Sequence, residues 1–70
     1  MARKLLKTDE RILAYIRKAN EAGALAGLGP RETERFVKRL VAEGHVVWVE
    51  TKARGKGWAL PSLAARFEGL

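Results

Sequence analysis

The sequence predicts an α+β domain, mainly α, in which three helices precede a two-stranded hairpin and a short terminal helix. Three observations carry this. Apolar residues recur at helical spacing through residues 9–22 and again through 30–44. From His45 the spacing changes to the alternation of a strand, in "HVVWVETK". The glycine-bearing turn "ARGKG" then leads into a second strand, "WALP". The chain has 70 residues, enough for one domain, and no repeat, low-complexity tract or linker divides it.

Residues 1–7, "MARKLLK", form a basic arm with Arg3, Lys4 and Lys7. Thr8 is the expected cap of the first helix, because its hydroxyl can accept an orphan backbone N–H. Asp9 and Glu10 then suit the positive end of the helix dipole. Ile12, Tyr15, Ile16 and Ala19, with Leu13 beside them, form one apolar face, and Arg11, Arg17 and Lys18 lie off it. Gly23 is the expected stop. "ALAGLG", residues 24–29, reads as a short second helix ended by Gly29-Pro30.

Pro30 fits the first turn of the third helix, where its missing N–H would have no partner. Thr33, Phe36, Val37, Leu40 and Val41 form the apolar arc, and Gly44 closes it. Glu34 and Lys38 stand i, i+4 in the favourable order. Tyr15 and Phe36 are expected in the core, and Thr33 against the first helix. In the hairpin, Val47 and Val49 share one face, and Val46, Trp48 and Glu50 the other. Trp48 and Trp58 are expected to pair across the strands or in the core, with stacking on a nucleobase the less favoured alternative. Pro61 ends the second strand, and Ser62 caps a terminal helix in "SLAARFEGL".

The charge balance narrows the function. Fourteen Lys and Arg against eight Asp and Glu give a formal +6 and a pI near 10.3. Such a balance suits a polyanionic partner, although solubility alone makes some small proteins basic. There is no cysteine, so disulfides and thiolate metal sites are excluded, and His45 is the one histidine. No metal, cofactor or small-molecule ligand is expected. No paired carboxylates stand at catalytic spacing, and "GALAGLG" does not follow a strand, so the chain is not read as an enzyme. No apolar run approaches a membrane span or a signal segment, so a cytoplasmic protein without membrane contact is expected.

The cations are not scattered. Opposite the apolar arc of the third helix lie Arg31, Arg35, Lys38 and Ala42, with Arg39 close by and Glu32 and Glu34 on the flanks. A second cluster, Lys52, Arg54 and Lys56, sits at the hairpin tip, residues 52–57, where Gly55 and Gly57 allow a bend and a close approach. Each cluster has an ordinary reading as well. The helix stripe is also what a solvated face with ion pairs to Glu32, Glu34 and Glu43 looks like. Lysines at a hairpin also block edge-to-edge pairing.

The text "LVAEGHVVWV", residues 40–49, places Leu40, Gly44 and Val46 between a basic helix and a glycine-tipped hairpin. In this, residues 8–61 resemble a winged helix-turn-helix domain. The stretch before the basic helix is shorter than usual there, leaving no room for the small strand that often precedes the second helix. The resemblance implies double-stranded DNA binding, with residues 30–43 in the major groove and the wing on the backbone or minor groove. Arg31 or Arg35 would then bond a guanine edge, and the remaining cations phosphates. A small transcription regulator follows as the expected role. Two half-sites would require a homodimer, for which Leu5, Leu6, Leu63, Phe67 and Leu70 are candidates. The rival readings are a protein-interaction module of a larger nucleic-acid machine and an RNA-binding domain.

Overall fold

The computed structural model describes residues 6–70. Arg3, Lys4 and Leu5 of the expected arm lie outside the described residues. The fold is α+β and mainly helical, with one two-stranded antiparallel sheet. Helix α1 spans Lys7–Glu21. Helix α2 covers residues 30–42, assembled from an α turn at Pro30–Glu32, a π turn at Thr33–Val37 and an α segment at Lys38–Ala42. Strands β1 (Val47–Glu50) and β2 (Lys56–Ala59) form the hairpin. Helix α3, Pro61–Ala64, runs into a 3-10 turn at Ala65–Phe67.

Helix α1 starts two residues earlier than expected. Leu6, not Thr8, is the residue before its first turn, and Lys7 belongs to the helix rather than to an arm. The Leu6 N–H donates to the Asp9 carboxylate at 3.1 Å, so an acid inside the helix reaches back to cap it. Ile12 and Ile16 are buried as the periodicity requires, with Leu13 and Ala19 partly so. Tyr15 is exposed instead of core, its hydroxyl donating to the Gly27 carbonyl at 3.3 Å. The buried stripe continues through two polar residues, Asp9 and Asn20.

Residues 24–29 do not form the expected second helix. They run extended, and Ala26 exchanges both backbone hydrogen bonds with Trp58, at 3.0 and 2.8 Å. The expected order is therefore reversed here: a short strand-like pairing exists and the helix does not. Gly57 makes this possible. A Cβ on it would lie 2.7 Å from the Ala26 carbonyl oxygen and 2.8 Å from Leu25 Cβ. Gly57 thus admits another part of its own chain; only Gly55, at φ +76°, supplies the bend at the tip.

Pro30 stands at the first position of α2, after Gly29. Within the helix the Lys38 N–H reaches the Thr33 carbonyl, five residues back, which opens the turn. Thr33 is half-buried, with its hydroxyl donating to the Gly29 carbonyl at 2.9 Å. Val37 and Leu40 are buried and Phe36 packs at the margin of the core. Val41 is exposed, contrary to expectation. At the end of the helix Gly44 and His45 return hydrogen bonds to the carbonyls of Val41 and Leu40.

The hairpin register pairs Val47 with Ala59, Trp48 with Trp58, Val49 with Gly57 and Glu50 with Lys56. Val47 and Val49 share the more buried face and Trp48 and Glu50 the exposed one. Val46 precedes the strand and is sealed in the core, so it does not follow Trp48 outward. The two tryptophans pair across the strands as expected, ring centroids 4.9 Å apart and planes at 71°. Strand β2 begins at Lys56 and ends at Ala59, and Pro61 opens α3 instead of terminating the strand. Ser62 is therefore inside α3 rather than its cap. Phe67, one of the residues expected at a dimer contact, is buried within the fold.

Candidate nucleic-acid interface

The position of every cation on α2 follows from what covers the helix. The buried stripe is centred on Leu40, and Arg39 and Val41 stand to either side of it. The Arg39 flank meets the first turn of α1. There the Arg39 guanidinium donates to Asp9 Oδ1 at 2.7 Å, with the Asp9 side chain fully buried and Arg39 about one third exposed. Its planar head also lies 6.0 Å from the centroid of the Phe36 ring, and its Nε is buried without a partner. Arg39 is therefore withdrawn from the expected contact set, because it holds two helices together.

The remaining helix cations are exposed. Arg31 and Arg35, one turn apart, line an open depression of about 630 Å³ with Pro30 and Glu34. Neither guanidinium has an ion-pair partner among the described residues. Lys38 is exposed too but sits 3.1 Å from Glu34 Oε2, an i, i+4 pair in water. Such a pair contributes only ~0.3–0.5 kcal/mol, so Lys38 can exchange Glu34 for another anion at little cost. Glu32 is folded back over Gly29, where a Cβ would meet its carboxylate at 2.7 Å. This places one of the flanking acids at the start of α2, where the dipole favours it.

At the hairpin tip, Lys52, Arg54 and Lys56 are all exposed. The loop under them is well bonded. Thr51 N–H donates to the Gly55 carbonyl at 2.7 Å, the Thr51 hydroxyl donates to the same carbonyl at 3.0 Å, and the Arg54 N–H donates to that hydroxyl at 2.8 Å. The Lys52 N–H donates to the Leu70 carbonyl at 3.0 Å. Lys52 and Lys56 line a second open depression with Glu50, Thr51, Gly69 and Leu70. The two depressions have no residue in common. The whole body measures 34 × 25 × 19 Å.

What ties the hairpin to the helices is a residue that the charge pattern does not reveal. Asn20, at the end of α1, donates through Nδ2 to the carbonyls of Ala24 (3.0 Å) and Trp58 (3.3 Å) and accepts the Leu60 N–H at Oδ1 (2.9 Å). One side chain so joins α1, the extended segment and the base of β2. Its signal in the sequence is positional: Asn20 falls four residues after Ile16, on the apolar stripe, where a polar residue needs a partner.

Among the described residues no group of acidic or histidine side chains is arranged to hold a metal ion, and no helix is long and apolar enough to cross a membrane. No protein-family model, curated protein or solved structure matches the chain.

Proposed function

We propose that the chain binds double-stranded DNA, as a small transcription regulator of winged-helix type, through Arg31, Arg35 and Lys38 on α2 and Lys52, Arg54 and Lys56 on the hairpin. The observation that carries the reading is the contrast on α2. Arg39 is bonded into the fold, whereas Arg31 and Arg35 are exposed beside an open depression with no ion-pair partner among the described residues. Unneutralised cations on a +6 chain are stabilised by phosphates, which release condensed counterions when they bind. Val41, exposed two positions from Arg39, offers an apolar contact of the kind a thymine methyl accepts.

Binding of a mixed-sequence duplex measured across a salt series tests this. With roughly five phosphates engaged, log K falls against log salt with a slope of about −4 to −5. A slope near zero, or no binding at low salt, removes the proposal. Leu6 and Leu70 are exposed and remain available for pairing two copies. Sedimentation showing a strict monomer at high concentration would remove the dimer and leave DNA binding in place. Competition with structured RNA at matched salt separates DNA from RNA.

A second reading is favoured by the exposed apolar side chains Tyr15, Val41 and Trp48. In it the same cations meet an acidic protein surface. One stoichiometric protein partner, with no retardation of mixed-sequence DNA, would establish that reading in place of the first.

A further inference from the structure

We propose that the outer face of the hairpin, centred on Trp48, is a stacking platform for an unpaired nucleobase adjoining a duplex; this rests on the nucleic-acid reading above and deepens it. Trp48 is 49% exposed, an unusual position for the largest aromatic side chain. It is nevertheless not free to move. Trp58 meets it edge to face at 4.9 Å, and the indole N–H donates to Glu50 Oε2 at 2.8 Å. Trp58 in turn packs against the core and exchanges backbone hydrogen bonds with Ala26. The indole is thereby fixed, and its one polar atom is already satisfied. What it presents to solvent is ring surface.

The surroundings select the occupant. By the pleat, Glu50 and Lys56 lie on the same face as the tryptophan pair, about 7 Å further along the strands. Glu50 is engaged by the indole N–H and stands opposite Lys56, while Lys52 lies beyond it in the turn. A single ring bordered by charges is far too small for a protein interface, which covers about 800 Å² on each partner. A nucleobase fits it: flat, aromatic and carried on an anionic backbone that Lys52 and Lys56 attract. Bases inside a duplex have both faces covered, so the base concerned is an unpaired one next to a duplex. Ordering costs little, because the ring is already held.

The test compares a blunt 20-base-pair duplex with the same duplex carrying a five-nucleotide 3′ tail, at equal salt, with 2-aminopurine at the first unpaired position. The tailed duplex is expected to bind about tenfold more tightly and its 2-aminopurine emission to change on binding. Trp48→Leu is expected to bring the tailed duplex down to the blunt value, and Trp48→Phe to keep most of the advantage. Equal binding of the two duplexes, or an advantage that survives Trp48→Leu, overturns the platform and leaves duplex binding standing. Binding of neither duplex overturns both. Should Trp48→Leu fail to fold, unchanged 2-aminopurine emission with the native chain overturns the platform by itself.

Discussion

The side of α1 that faces the rest of the molecule and the outer side of α2 both carry polar residues, and they use them in opposite ways. Along the inner seam, Asp9 holds Arg39 at one end and Asn20 holds the hairpin at the other, with both residues fully or almost fully buried. Along the outer side, Arg31 and Arg35 stand in solvent beside an open depression. The difference teaches that residue type does not decide whether a cation is structural or available. Arg35 and Arg39 are one helical turn apart in the same sequence run. The first turn of α1 covers one and leaves the other uncovered.

The largest effect is expected at the seam. Asn20→Ala leaves the Leu60 N–H buried without its side-chain partner and removes the bonds to the Ala24 and Trp58 carbonyls. At ~1–3 kcal/mol for the unsatisfied N–H and ~0.5–1.5 kcal/mol for each of the two other bonds, the loss is about 4 kcal/mol, much of the stability of a domain this size. Urea denaturation measures it, and a loss under 1 kcal/mol would mean that water substitutes for Asn20.

Arg39→Ala and Arg35→Ala sharpen the contrast directly. The first removes the guanidinium that faces the buried Asp9 carboxylate. It should lower stability by about 2–3 kcal/mol, less than for a wholly buried pair because Arg39 is partly in water. The second should leave the urea midpoint unchanged and weaken duplex binding about tenfold, with an altered preference among sequences. Equal effects of the two variants on both measurements would erase the distinction between seam and outer side.

The smallest effect is expected at Lys38. Removing it abolishes a solvent-exposed pair with Glu34, worth at most ~0.5 kcal/mol of stability. Duplex binding should weaken modestly and evenly across sequences, with the salt slope shallower by about one.

The elements with local signals were legible. Ile12 and Ile16 mark the buried face of α1, Val37 and Leu40 that of α2, and the tryptophans pair at the predicted cross-strand position. The remainder was settled by contacts between distant residues. "ALAGLG" carries no trace of Trp58, 32 positions beyond Ala26, yet pairing with it determines the extended course of the segment. Periodicity puts Val41 in the apolar arc and Arg39 near the opposite side, whereas the contact with Asp9 covers Arg39 and leaves Val41 exposed. Asp9 and Asn20 lay on the right stripe but were the wrong chemistry for a reading that counts apolar residues. For the candidate site, six of seven cations are exposed as expected, and the seventh is the one whose flank α1 happens to reach.

The missing side chain at residue 57 has a wider effect than its size suggests. Because the strand is bare there, the inter-helix segment seats directly on it, and the edge of β2 that would otherwise recruit a foreign strand is already occupied. Helices and hairpin therefore close around a shared clasp. Releasing it would loosen both at once, so helices and hairpin are expected to unfold together rather than hairpin first.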